Sequence, residues 1–254
     1  EYANTTWCNC TQEQKTRIEE VQLAAARVIT GAIRGTSHNE IYRETNLIPT
    51  HSARERKCLT TFYKIYHGHT PCYLRNLLPT PTNNRTPYQL RNNHELTRYR
   101  TTTSTYHNSF FPSTLVRWNK LDLSIRFIGS LSQFKHHLNK DKSAVPPFYY
   151  TGNRKAQMIH SRMRMKCSPL KKHLHDMHIV DDPSCECGHH TEDCTHFFFS
   201  CPLYADQRRL FNQINERTNR DTNTFLFGDR NATLSQNKTL FGLVTDFINS
   251  SNRF

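Results

Sequence analysis

One short segment in the last third of the chain contains a spacing that implies a specific chemistry. Cys185 and Cys187 are separated by one residue, and Gly188 gives the backbone the freedom that a tight turn needs. His196 and Cys201 follow, so three thiols and one imidazole can reach one point. Zn²⁺ prefers such a set, because thiolate and imidazole suit a borderline-soft ion. We predict one structural zinc ion, with no position left for a catalytic water, held by Cys185, Cys187, His196 and Cys201.

The same segment contains other potential ligands, which we predict to lie outside the metal shell: Cys194, His189 and His190. Cys201 is preferred to Cys194 because it follows the aromatic run Phe197–Phe199, whose burial can bring the chain back to the first two thiols. Cys-x-Cys is less specific than the commoner Cys-x-x-Cys, so the alternative is a loop of reduced thiols without a metal.

The charge of the chain is strongly basic and unevenly distributed. The 34 Lys and Arg residues exceed the 21 Asp and Glu residues by 13. Residues 1–180 contain 27 basic and 11 acidic side chains, whereas residues 181–254 contain 7 and 10. A basic body of this size favours a polyanion, because each phosphate contact releases counterions. We therefore predict RNA and/or DNA as the partner.

A run of basic residues lies just before residues 185–201, which contain the predicted metal ligands and are called the metal segment below. This run is the best candidate for the contact with the polyanion. No acidic residue lies between Asn153 and His175, and methionines alternate with the basic positions, so one face can pack while another meets phosphate. The alternative is a helix face that is merely solvated. The predicted nucleic-acid-binding residues are Arg154, Lys155, Arg162, Arg164, Lys166, Lys171 and Lys172.

Helical periodicity and helix-start signals dominate the sequence and predict a mainly α fold. Thr11 with Gln14, and Ser37 with Glu40, have the spacing of capping boxes. In the first helix the apolar stripe consists of Ile18, Val21, Ala25, Val28, Ile29 and Ile33. Helices are predicted at residues 11–33, 37–47, 52–67, 112–121, 130–140, 155–164, 169–175, 202–214 and 234–248, and short strands at 88–91 and 98–106.

Composition divides the chain into four regions. The content of Pro, Asn and Thr rises after residue 78, and residues 142–153 have the Pro and Gly content of a linker. The predicted regions are a helical region at 1–78, a connector with loops and helices at 79–141, a linker at 142–153, and a basic helix with the metal domain at 154–254.

No complete active site is visible in the sequence. Asp181 and Asp182 follow two apolar residues, as the metal-binding carboxylates of polymerases do, but two-metal chemistry needs further ligands, and Pro183 follows at once. We therefore interpret the pair as a turn that leads into the metal site. We predict that this chain alone is not an enzyme and has no small-molecule substrate.

The cysteines and the apolar patterning indicate an intracellular chain, in the nucleus and/or the cytoplasm. Five of the nine cysteines lack the spacing of a disulfide framework. No secretory signal or membrane-spanning apolar run is visible, so we expect no membrane partner. Because the chain begins with Glu1 rather than Met, we expect it to be a piece of a longer protein.

Several stretches together resemble one known family. The most specific is Ser168-Pro169-Leu170 followed by Cys185-x-Cys187-Gly188, then His196 with Phe197-Phe198-Phe199, and Cys201-Pro202-x-Tyr204. Further stretches lie at residues 1–7, 18–27, 56–74, 88–91 and 109–121. The chain resembles the region downstream of the polymerase core in LINE-type (non-LTR) retrotransposon reverse transcriptases, and its last stretch resembles the C-terminal zinc knuckle of that family.

This resemblance implies a helical thumb-like and connector-like region plus a small zinc-stabilised helical C-terminal domain. The family's zinc-bearing end helps to grip template RNA or target DNA during target-primed reverse transcription. The parent would be an RNA-directed DNA polymerase, and its upstream polymerase domain would be a partner. The family's endonuclease and catalytic aspartates have no matching positions here. The alternatives are a zinc-stabilised protein-interaction module and a decayed element copy without function.

Overall fold

The structure is a computed structural model that describes residues 3, 5–7, 9–82, 94–139, 144–214 and 218–254. These residues contain no β-strand, only one isolated antiparallel bridge between Pro81 and Leu96, so the prediction of a mainly α fold is confirmed. The helices are α1 (Gln12–Thr30), α2 (His38–Thr45), α3 (Thr50–Tyr66), α4 (Cys72–Arg75), α5 (Ser104–His107), α6 (Phe110–Asn119), α7 (Leu123–Arg126), α8 (Leu131–Leu138), α9 (Arg154–Arg164), α10 (Lys171–Asp176), α11 (Thr222–Phe227) and α12 (Leu234–Ser250).

One of the two predicted capping boxes is present. Gln14 N donates to Thr11 Oγ1 at 3.3 Å and Thr11 N donates to Gln14 Oε1 at 3.0 Å, so two amides at the start of α1 are satisfied reciprocally. The prediction of a capping box at Ser37 is wrong, because the Ser37 side chain makes no capping hydrogen bond and the Glu40 side chain pairs with Arg43 instead.

The chain forms two compact units. The first comprises Glu1–Val21 and Ile48–Lys142, and the second comprises Gln22–Leu47 and Ser143–Phe254. This division differs from the predicted regions. The predicted region 1–78 contains all of α1 and α2, whereas in the structure the second part of α1 and all of α2 belong to the same unit as the metal segment. Both units collect segments that are distant in sequence, and local composition carries no signal for such an arrangement.

The first unit is built on an aromatic core between α3, α6 and α8. Trp118 lies 5.2 Å from Phe62 and 5.9 Å from Phe134, measured between ring centroids, and all three rings are buried. The Tyr63 ring stacks on Phe134 at 4.4 Å, and its hydroxyl donates to Ile128 O at 2.5 Å, so the polar end of this buried ring is satisfied.

The second unit packs α9, α11 and α12 around a larger aromatic cluster. Phe247 of α12 lies 5.1 Å from Phe197 and 4.8 Å from Phe211 between ring centroids. Phe225 of α11 lies 5.5 Å from Phe198 in an edge-to-face contact, and all of these rings are buried. Because Phe197 and Phe198 lie between the predicted metal ligands, this core fixes the metal segment to three helices.

The predicted linker at 142–153 is packed where the structure describes it. Pro147–Tyr150 form a 3₁₀ turn, in which Phe148 contacts Phe241 edge-to-face at 4.7 Å and Tyr149 stacks on the same ring at 5.6 Å. Proline and glycine content indicates a linker, but two aromatic rings bury enough apolar area to hold the segment on the core.

Further local features differ between the prediction and the structure. Residues 98–106 form no strand, and Ser104–His107 is a short helix instead; the strand predicted at 88–91 lies outside the described residues. Residues 202–214 form two 3₁₀ segments, Pro202–Tyr204 and Gln207–Gln213, rather than one α-helix. Helix α11 was not predicted, although Asp221 gives a start signal, accepting from Thr224 N at 2.7 Å.

The predicted apolar stripe of α1 is largely exposed. Val21 is 71% and Val28 76% exposed, whereas Leu23 and Ala26 are buried. Helical spacing therefore identified the helix correctly but not the side that packs. None of the helices in the described part of the chain has the length and apolar character needed to cross a membrane.

Candidate metal centre and basic surface

A tight turn presents the first two predicted ligands. Gly188 N donates to Cys185 O at 3.0 Å, and Cys185 N donates to His189 O at 2.8 Å. Gly188 has φ +89°, a conformation that side chains with a Cβ rarely adopt. The turn therefore directs Cys185 and Cys187 to one point, as their spacing predicted.

A π-helical turn, His196–Ser200, presents the other two ligands. Cys201 N donates to His196 O at 2.8 Å, a five-residue step that is wider than that of an α-helix. His196 N donates to the side chain of Asp193 at 2.7 Å, which fixes the start of the turn. Phe197 and Phe198 are fully buried within it, so aromatic burial turns the chain back as the sequence predicted.

The four predicted ligands converge, and they could hold a metal ion. Their ligand atoms all lie within 4.8 Å of one another. Cys185 Sγ lies 3.7 Å from Cys201 Sγ, and Cys187 Sγ lies 3.2 Å from His196 Nε2. A tetrahedral site with metal–sulfur bonds of ~2.3 Å requires sulfur atoms ~3.8 Å apart. Cys194 is buried but not part of this group, as predicted.

Burial makes two of the three thiols of this centre, Cys185 and Cys201, difficult to ionise without a cation. It raises the pKa of Cys185 and raises that of Cys201 to about 12, and it lowers the pKa of His196. At Cys187 desolvation acts in the same direction as at the other thiols, but hydrogen bonds, first among them that of the His189 backbone, lower its pKa overall. A bound cation stabilises thiolates and neutral imidazole. It would therefore offset the free-energy cost of ionising the buried thiols.

Neighbouring groups orient the His196 ring. Ser200 Oγ lies 3.3 Å from His196 Nδ1, so the other ring nitrogen, Nε2, faces the thiols. The His189 ring stacks on His196 at 4.1 Å, with its own Nδ1 2.9 Å from Thr191 O. His189 therefore supports the ligand ring from outside the group of four.

Sequence reasoning missed an ion pair that holds the metal segment in place. Glu192 is 2% exposed, and its carboxylate accepts from Arg253 and from Lys171 N, the latter at 2.9 Å. Arg253 also donates to Pro169 O at 3.3 Å. These contacts join the metal segment to the start of α10 and to the residues that follow α12. A lone Glu and a lone Arg 61 positions apart carry no sequence signal for such a pair.

Three of the seven predicted nucleic-acid-binding residues line one groove. Arg154, Lys155 and Arg162 surround the apolar side chains of Met158 and Ile159, and the groove also includes Pro169, Arg253 and Phe254. We call this the basic groove. Because Arg253 is paired with Glu192, the net positive charge comes from Arg154, Lys155 and Arg162. These charges can bind a phosphate backbone while the apolar floor packs against a base.

The groove residues also have structural contacts. Arg154 Nη2 donates to Val28 O at 2.8 Å and Ile29 O at 2.5 Å, at the end of α1. Arg162 Nε donates to Gly31 O at 2.6 Å, and Lys155 Nζ to Phe254 O at 2.5 Å. Arg154 and Arg162 keep their positive charge in these bonds, because peptide carbonyls do not neutralise it.

The other four predicted contacts do not line the groove. Arg164 is a correction: its side chain is 1% exposed and pairs with Glu44, so it is not a surface contact for phosphate. Lys172 pairs with Asp176 at 2.6 Å on the surface. Lys166 is exposed, and Lys171 is half-buried beside Glu192.

The aspartate pair forms a turn. Asp182 accepts from Ser184 N at 2.9 Å and from Ser184 Oγ at 2.5 Å, and these bonds lower the pKa of Asp182. This is the turn that the sequence predicted ahead of the metal segment.

Comparisons of this chain with protein-family models, with curated proteins and with solved structures gave no match.

Proposed function

We propose that this chain is a non-catalytic, zinc-stabilised, nucleic-acid-binding portion of a retrotransposon reverse transcriptase. The observation that carries nucleic-acid binding is the basic groove, in which Arg154, Lys155, Arg162 and Arg253 surround an apolar floor. The polyanion is single-stranded RNA or DNA, because the floor can pack against unpaired bases while the charges meet phosphates.

The role proposed for zinc is structural. The turn supplies two thiols, and the π-helical turn supplies an imidazole and a thiol. Together they would fill a tetrahedral shell, which leaves no open position for a substrate or a water. Arg253 contributes to the groove and pairs with Glu192, which lies between the two ligand pairs. The metal would therefore hold the segment that fixes one side of the groove.

The proposed parent is a LINE-type reverse transcriptase, which would use this region to grip template RNA or target DNA. The support is the sequence resemblance, together with a helical structure that places the knuckle-like residues in one cluster. The upstream polymerase domain would be the partner in the parent protein. An intracellular, reducing compartment fits the free thiols of all the described cysteines.

Binding of unrelated oligonucleotides at several salt concentrations tests this proposal. Arg154→Gln with Lys155→Gln should weaken single-stranded RNA binding similarly for every sequence, because phosphate contacts carry little sequence information. The slope of log K against log salt should fall by about 1.4, or ~0.7 per lost phosphate contact. The matched control is Arg230→Gln with Lys238→Gln, two exposed basic residues of the same unit that do not line the groove.

A protein-interaction module is the second candidate function, because the groove residues also donate to backbone carbonyls and the basic charge can be incidental. Wild-type affinity and salt slope in the Arg154→Gln, Lys155→Gln variant would favour it. A decayed element copy without function predicts no salt-sensitive binding by the folded wild-type chain.

A further inference from the structure

A cavity of about 470 Å³ lies in the first unit, and all of its lining belongs to that unit. Its wall contains aliphatic side chains of α3 and α4 together with four aromatic rings, those of Tyr99, Tyr106, Phe110 and Phe111. Ligand sites in proteins are typically cavities of ~300–1,000 Å³ with apolar walls and a few polar groups. Thr6 and Tyr106 are exposed, so the cavity opens to solvent and a ligand can reach its wall.

Three of the four rings are fixed by the packing of the unit. Phe111 lies 5.1 Å from Phe110 and 6.3 Å from Tyr99, measured between ring centroids. The Tyr99 hydroxyl donates to Leu77 O at 2.7 Å. Burial, and then the nearby Tyr106 hydroxyl, raises the pKa of Tyr99 to about 12, so the Tyr99 hydroxyl remains a donor at neutral pH. These rings form a wall that a ligand does not have to order.

The fourth ring, that of Tyr106, combines a fixed backbone with an accessible side chain. Tyr106 N donates to Thr103 Oγ1 at 3.2 Å, and Tyr106 O accepts from Ser109 Oγ at 2.7 Å. Tyr106 is 44% exposed, and in the described part of the chain no other ring packs against it. A ring held in this way can stack on a planar aromatic ligand and loses little freedom of its own.

Two arginines flank the wall of this cavity. Residues 97, 99 and 101 are half-buried, whereas Arg98 and Arg100 between them are exposed, which is the alternation of an extended segment. Each arginine is one residue from Tyr99, and consecutive Cα atoms are ~3.8 Å apart, so both guanidinium groups can reach a group attached to the ligand outside the cavity. In the described part of the chain neither arginine forms an ion pair, so both charges are available.

The net charge of the first unit also favours an anion. This unit contains 17 Lys and Arg residues and 8 Asp and Glu residues, a difference of 9, whereas the second unit contains 17 and 13. Most of the chain's excess of 13 positive charges therefore lies in the unit that does not contain the basic groove. An aromatic cavity with positive charge outside it is complementary to a nucleotide, which has a planar base and an anionic phosphate.

We propose that this cavity binds one unpaired base of a single-stranded nucleic acid, with the Tyr106 ring stacked on the base and Arg98 and Arg100 on the adjacent phosphates. A cavity of ~150 Å³ holds a molecule the size of benzene, so about 470 Å³ has room for a base with part of its sugar. Every base has a π-face, so we expect little sequence preference. The site goes beyond the proposed function, because it lies in the other unit and uses none of the groove residues.

Fluorescence anisotropy with a uridine octamer and an abasic octamer tests the base site. Both strands are measured on the full chain with Arg154→Gln and Lys155→Gln, which weaken the basic groove. The uridine strand should bind more tightly than the abasic one. Adding Tyr106→Ala should weaken the uridine strand about tenfold, the effect of losing one stacked base, and leave the abasic strand unchanged. Tyr106→Phe keeps the ring and should retain the affinity, as should the matched control Tyr73→Ala, a 63% exposed tyrosine of the same unit that does not line the cavity.

A second variant tests the phosphate contacts, and it decides the matter if Tyr106→Ala does not fold. Arg98→Gln with Arg100→Gln should weaken both strands and lower the slope of log K against log salt by about 1.4, or ~0.7 per lost phosphate contact. An unchanged salt slope, or uridine monophosphate that binds as tightly as the octamer, would overturn the site.

The groove and the cavity fail in different ways. Equal affinity of the groove-weakened chain for the uridine and abasic strands would overturn the site and leave the proposed function standing. Wild-type affinity for the uridine strand in the groove-weakened chain, followed by its loss in Tyr106→Ala, would support the site and contradict the role proposed for the basic groove.

Discussion

Arg253 and Glu192 form a two-bond ion pair across 61 positions of sequence, with Arg253 Nε 2.6 Å from Glu192 Oε1 and Nη2 2.8 Å from Oε2. The carboxylate is almost fully buried and the guanidinium is 21% exposed. This geometry matches the planar fork of arginine to both carboxylate oxygens. The pair joins the metal segment to the basic groove.

Removing Arg253 should destabilise the second unit. Arg253→Ala leaves the buried Glu192 carboxylate without its main partner, and we expect the free energy of unfolding to fall by about 2–3 kcal/mol. This is less than the roughly 3–5 kcal/mol expected when a fully buried pair is broken, because part of Arg253 is exposed. Urea denaturation followed by circular dichroism measures it.

Arg209→Ala provides the control for that experiment, because the Arg209–Asp206 pair is 80% and 82% exposed. We expect almost no change there, since exposed pairs contribute little. Equal destabilisation by the two variants would contradict a structural role for the Arg253–Glu192 pair.

The same pair gives a pH dependence with a defined sign. Burial opposes ionisation of Glu192, but the hydrogen bonds and charge of Arg253 outweigh it and lower the pKa of that carboxyl below its ordinary 4.5. Because the pKa of Glu192 is lower in the folded chain than in the unfolded chain, its ionised carboxylate stabilises the fold at pH values above the unfolded-state pKa. This stabilisation is lost as the pH falls through the folded-state pKa. The stability advantage of the wild type over Glu192→Gln should therefore be full at pH 6 and shrink below about pH 4.5. An advantage that stays constant down to pH 3 would show that ionised Glu192 contributes nothing.

Arg164 should affect folding rather than surface binding of nucleic acid. Arg164 and Glu44 are 1% and 9% exposed, so Arg164→Met leaves a buried carboxylate unpaired, and we expect a loss of about 3–5 kcal/mol in the free energy of unfolding. The double variant Arg164→Met, Glu44→Leu removes both charges and should recover much of that loss. Thermal unfolding of the two variants measures the difference. Equal melting temperatures for the single variant and the wild type would contradict the buried pair.

These pairs show which features a single sequence predicts. Cys185 and Cys201 are 16 positions apart with a turn and an aromatic run between them, so local rules were enough to predict that these two thiols converge and that Cys194 lies apart from them. Arg164 and Glu44 are 120 positions apart, and nothing in the local pattern of α9 distinguishes a buried arginine from an exposed one. The same limit applies to α1, where helical spacing predicted the helix and assigned Val28 to a packed stripe that the structure exposes.

Metal analysis of two serine variants tests the ligand set. Cys201→Ser removes one of the four ligand atoms, and we expect it to lose most of its bound zinc. Cys194→Ser should keep one equivalent of zinc, because Cys194 is buried apart from the cluster. The zinc content of the purified chains, measured by atomic absorption, distinguishes the two. Full zinc in Cys201→Ser and none in Cys194→Ser would reverse the assignment.

Removing the metal should weaken nucleic-acid binding through Arg253. Apparent zinc binding in small structural sites is on the order of 10 kcal/mol, so the fold of residues 183–201 should depend on the ion. Without it Glu192 loses its fixed position, Arg253 no longer completes the basic groove, and we expect the affinity for single-stranded RNA to fall about tenfold on chelation. Fluorescence anisotropy with and without chelator measures this affinity.

Two variants provide the controls. Cys187→Ser should show the lowered RNA affinity without chelator and no further change when chelator is added, whereas Cys194→Ser should respond to chelator as the wild type does. Unchanged RNA affinity in a chain whose zinc has been removed would separate the groove from the metal centre and contradict their coupling.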